Sequence, residues 1–123
     1  MTTNRTRLEP GLYRVESDLV TQWIERDEYE TPARRWVVRP TEFLGAETAW
    51  LAFFPTLALA VEGVETYSEG ARAATADHRE DRRYPDADVL GAMPDAFQRG
   101  YTETWEALDA DDLAQQAERS RGA

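Results

Sequence analysis

A chain of 123 residues, 41% hydrophobic and 11% aromatic, suffices for one domain with its own core. Its charge is lopsided: 14 arginines, no lysine and 24 acids give a net charge of -10, which sets the chain as a whole against nucleic-acid phosphates. Without cysteine there is no disulfide, thiolate nucleophile or thiolate metal site, and without lysine there is no Schiff base and no phosphate-loop lysine.

Residues 1–10 mix arginines with an acid and contain no apolar run of the secretory type, so they are expected to form a flexible N-terminal arm of a cytoplasmic or virion protein. A single globular domain is expected over residues 11–108. Within it, Leu12 to Val15 and Arg35 to Arg39 are rich in aromatic and β-branched residues and bounded by Gly11, Pro32 and Pro40, which predicts two strands. Between them, Leu19, Val20, Trp23 and Ile24 share one helical face that Ser17 would cap. The same stretch has strand propensity, so a three-stranded meander stands beside the helix.

After Pro40, with Thr41 or Thr48 as cap, Trp50, Phe53, Phe54, Leu57, Ala60, Val61, Val64, Tyr67, Ala71, Ala74 and His78 recur at steps of three and four. Pro55 interrupts this stripe, predicting a short helix that ends near Phe54 and a long one from about Thr56 to Arg82. Tyr84, Pro85 and Asp86 predict a turn, after which Leu90, Met93, Phe97, Tyr101, Trp105 and Leu108 continue at helical spacing, with Pro94 near the start of a helix expected from about Asp95 to Leu108. Residues 109–123 are polar and alanine-rich, which predicts a partly helical, fraying tail. The expected fold class is α+β, mainly α: a helical core, its long helix kinked or broken at Pro55 and joined by a C-terminal helix, with a small N-terminal β element. Residues 48–61 are uncharged, but 14 residues fall short of the roughly 20 that span a membrane.

Few residues suggest chemistry. His78 is the only histidine; it falls near Ala71 on the apolar stripe, where a packing or capping role is expected. Glu62, Glu65 and Glu69 share a solvent-facing stripe without a second ligand-bearing element, so no metal site is assigned. The serines at 17, 68 and 120 lie in no nucleophile elbow, and the glycines form no phosphate loop. Neither catalytic residues nor a cofactor are therefore assigned. Arg34, Arg35 and Arg39 flank Trp36, but seven acids in the first 40 residues balance seven arginines, and the expectation is ion pairing with Glu25, Asp27, Glu28 and Glu30 rather than nucleic-acid binding.

The remaining signal is aromatic surplus. Trp50, Phe53 and Phe54 crowd beside a proline in a chain of thirteen aromatics; on one helical face they would be buried in the domain's own core, whereas if the aromatics exceed what that core takes up, Trp50, Phe53, Phe54 and Leu57 are the candidate interface. The expected function is non-enzymatic: an interaction or assembly subunit of a multi-subunit complex or virion, with protein partners or further copies of itself. Two alternatives belong to other classes, an acidic inhibitor that imitates nucleic-acid phosphates and a small enzyme that works with carboxylates alone. Lysine-free, acid-rich composition suits a halophilic or high-GC host. Ten uncompensated charges repel one another and are screened over about 3 Å at 1 M salt, so thermal melts should give a higher Tm in 2 M than in 0.1 M potassium chloride.

Overall fold

The computed structural model describes residues 4–16, 21–39, 42–43, 46–47 and 52–122. Five antiparallel strands form the main sheet: β1 (Asn4–Glu9), β2 (Leu12–Glu16), β3 (Thr21–Arg26), β4 (Trp36–Arg39) and β7 (Ala52–Phe54), in the order β1-β2-β3-β4-β7. Two short strands, β5 (Glu42–Phe43) and β6 (Ala46–Glu47), pair separately, and a 3-10 turn covers Pro32–Arg34. The helices are α1 (Leu57–Arg79), α2 (Ala87–Gly91) and α3 (Asp95–Arg121). The fold is thus α+β, with a larger N-terminal sheet than the sequence suggests.

The stretch expected to be an arm supplies β1. Pro10 and Gly11 close its hairpin with β2, and Gly11 takes the positive φ of 81° that suits a glycine at this turn. The open question at residues 17–28 resolves toward the meander, because β3 pairs with both β2 and β4. On a strand, side chains alternate between faces, so Gln22 and Ile24 turn inward and Trp23 outward; a helical face shared by Trp23 and Ile24 does not exist. Leu19, Val20, Ser17, Thr41, Thr48 and Trp50 lie outside the described residues.

The helix expected before Pro55 is instead a strand. Ala52, Phe53 and Phe54 pair with Val38, Val37 and Trp36. A residue preceding proline is pushed toward extended backbone, and the edge of β4 offers the hydrogen bonds that a broken helix would lack. Past the proline, Thr56 caps α1 by accepting from the Leu59 N–H at 3.2 Å. The tail beyond Leu108 continues α3 to Arg121, with residues 109–121 exposed throughout.

The inner face of the sheet contributes Val15, Ile24 and Val38, each fully buried against Ala60, Val64, Tyr67 and Ala71 of α1. An adjoining face of α1 meets α3 in the most extensive contact between any two elements. Gly70 lies against Phe97 and Tyr101, and His78 against Trp105 and Asp109, so α1 and α3 run parallel. At their closest approach each helix presents a glycine to the other's backbone: a Cβ on Gly70 would overlap the Phe97 carbonyl oxygen, and one on Gly100 that of Tyr67. Alanine is the better helix former by about 1 kcal/mol, yet Gly100→Ala should destabilise the protein by about 1–3 kcal/mol in urea titrations, because the backbones must separate to admit it.

Candidate functional site

Parallel helices force the connection between them to travel back along their length. The last turn of α1 closes with the Asp81 N–H donating to the His78 carbonyl at 3.2 Å and the Arg82 N–H to the Asp77 carbonyl at 2.9 Å, while Asp81 takes a left-handed φ of 54°. The chain then turns back. Tyr84 fastens it to α3, sharing a 2.7 Å hydrogen bond with Thr102 and standing edge-on to Tyr101 and Trp105. Asp86 starts α2 by accepting from the N–H groups of Val89 and Leu90 through its carbonyl, and the Gln98 amide holds the Met93 carbonyl at 2.7 Å where α3 begins.

Between this returning segment and the two long helices lies an open cleft of about 210 Å³, lined by Ala73 and Asp77 of α1, by Pro85, Val89, Leu90 and Met93, and by Phe97 and Tyr101 of α3. Its walls are apolar apart from Asp77 and the Tyr101 hydroxyl. Tyr101 donates to Asp77 Oδ2 at 2.7 Å. Burial, and then the bond to and charge of Asp77, push the phenol well above its ordinary range, so it stays a neutral donor. Arg82 approaches the other oxygen, Oδ1, at 3.4 Å but lies closer to Glu80, at 2.7 Å.

His78 sits on the neighbouring face, with Nε2 2.8 Å from Asp109 Oδ1 and 3.8 Å from Asp112 Oδ2 and its ring edge-on to Trp105. These contacts clamp the end of α1 to α3. Ser68 stands ten residues earlier on α1, about 15 Å along the helix axis, so the histidine and that serine are not assembled into a nucleophilic pair. Glu62 and Glu69 are exposed, with Glu65 half-buried, and among the described residues no group of three His, Asp or Glu side chains gathers as metal ligands.

The candidate interface cluster is divided by the strand that replaces its helix. Phe54 faces inward, its ring against Gly63, and Leu57 packs on the core from the start of α1. Phe53 points to the opposite side of the sheet, where the Arg34 guanidinium covers its ring at 4.0 Å. Trp50 is not among the described residues. The arginines of this region pair locally: Arg39 with Glu25 at 2.9 Å and Arg34 with Glu30 at 3.6 Å, while Arg35 Nε is buried without a hydrogen bond.

Sequence periodicity misses the cleft. It groups Leu90, Met93, Phe97 and Tyr101 as one helical stripe, whereas they come from three successive pieces of chain. The available signal is Val89, Leu90 and Met93 between Pro85 and Pro94, an apolar group on a stretch too short to bury it alone. Comparison with family models, curated proteins and solved structures finds no match.

Removing the Tyr101 hydroxyl should cost about 1–3 kcal/mol at pH 7, since it strips a partner from a partly buried carboxylate. The raised phenol makes folding bind a proton more tightly than the unfolded chain, whose tyrosines titrate near 10. That stability is complete below about pH 10 and is lost as pH rises further. Urea titrations between pH 9 and 11.5 should therefore show a steeper loss in the native protein than in Tyr101→Phe.

Proposed function

We propose that the protein is a non-enzymatic interaction subunit that docks a partner protein in the cleft between α1, α2 and α3. One observation carries this reading: three of the exposed large apolar side chains, Val89 (63% exposed), Tyr84 (40%) and Met93 (39%), gather on the segment that forms the cleft. Such concentration is costly in water unless a partner covers it, and apolar anchors seated in a pocket dominate the energetics of protein interfaces.

Size separates this reading from a metabolite site. Pockets for free small molecules run to roughly 300–1,000 Å³, and a cleft of about 210 Å³ has room for little more than one large side chain. Charge narrows the partner. Residues 77–95 hold six acids against three arginines, within a chain of net charge -10, so the field around the cleft favours a basic surface and speeds its approach.

Val89→Lys puts on the rim a charge of the same sign as the expected basic partner, without touching the core, and should leave far-UV circular dichroism and Tm unchanged, while weakening a reconstituted complex at least about tenfold, as expected for an anchor position. The control is Leu113→Lys on the exposed end of α3, away from the cleft, which should bind the partner normally. Equal retention of the partner by the Val89 and Leu113 variants in light scattering of purified components would place the interface elsewhere.

A further inference from the structure

The docking reading leaves open what enters the cleft, and Asp77 supplies the discriminating chemistry. Its carboxylate is the one charged group among apolar walls and is only 28% exposed. Oδ2 is satisfied by Tyr101 at 2.7 Å, a bond that also orients the group. Oδ1 is not comparably served: its nearest cation, Arg82, is 3.4 Å away, 65% exposed, and drawn off to Glu80 at 2.7 Å. A partly buried carboxylate lining an apolar cleft calls for a donor that carries charge at its tip and hydrocarbon along its stem.

Resting on the docking reading above, we propose that the cleft receives a lysine or arginine side chain of the partner protein, its methylene stem against Val89, Leu90, Met93 and Phe97 and its charged head on Asp77 Oδ1. The stem covers hydrocarbon that a neutral polar side chain would leave wet. The head replaces the distant Arg82, which is free to remain with Glu80. A purely apolar anchor would bury the carboxylate further without pairing it, and a carboxylate anchor would be repelled. The net charge of the chain acts in the same direction at long range.

The test uses the full chain and two probes of equal stem length, pentylammonium and 1-pentanol, with the methyl resonances of Val89, Leu90 and Met93 followed by NMR. Pentylammonium should shift these resonances at a concentration about fivefold lower than pentanol, the gain expected of one partly exposed charge-assisted contact. The preference should shrink in 1 M potassium chloride. Asp77→Asn, which can still accept from Tyr101, should abolish it, and Arg82→Gln, which removes the competing cation and leaves the cleft wall intact, should strengthen pentylammonium binding. Equal binding of the two probes, or a preference that survives Asp77→Asn, overturns the assignment of a cationic side chain. So does weaker pentylammonium binding by Arg82→Gln, the variant to use should Asp77→Asn fold poorly. Those outcomes leave the docking reading in place, since it is decided by Val89→Lys against the purified partner, not by the choice between probes.

Discussion

The parallel contact of α1 with α3 is the constraint from which the helical half of the molecule follows. Gly70 and Gly100 let the two backbones meet, and neither position has room for a Cβ. Two consecutive antiparallel helices need only a short loop. Parallel ones require the chain to return from the end of α1 at Arg79 to the start of α3 at Asp95, a journey of about 20 Å along the helix axes. The returning segment is held by Tyr84 on α3 and by Gln98 at the Met93 carbonyl, and the space it leaves against the helices is the cleft.

The sheet and α1 form the other half, and α1 joins the two. One of its faces carries Ala60, Val64 and Ala71 to the sheet, and the adjoining face carries Gly70 and Ala74 toward α3. Tyr67 aside, the buried residues of α1 are small, because two sets of neighbours must approach one helix closely. Bulk comes from opposite partners: Phe54, Trp36 and Tyr13 from the sheet, Phe97, Tyr101 and Trp105 from α3. Much of the aromatic content is thereby absorbed internally, and the exposed apolar residues at the cleft belong mainly to the return segment.

Electrostatics divides along the same line. In the N-terminal part, arginines and acids neutralise each other between strands, as in Arg39 with Glu25, and along one strand, as in Arg14 with Glu16. The helical part carries the surplus of acid. His78 meets two aspartates of α3 there, and Asp77 uses a neutral phenol and a distant arginine. A basic partner suits that second region and not the first.

By itself the sequence determined the features that depend on near neighbours in the chain. The 3.6-residue apolar stripe from Leu57 onward makes α1, and Pro55 with Thr56 sets where it starts. The β-branched and aromatic runs at 12–15 and 35–39 make β2 and β4, and the charge balance of residues 1–40 anticipates their ion pairs. Tertiary structure decided what local pattern leaves degenerate. Residues 4–9 and 21–26 became strands because neighbouring strands offered their backbones partners. Phe53 and Phe54, adjacent on a helical wheel, were sent to opposite faces once the edge of β4 captured them. The cleft was the least legible feature of all: its lining depends on the direction in which α3 passes α1, and on a close backbone approach at glycines thirty residues apart, which no periodicity records.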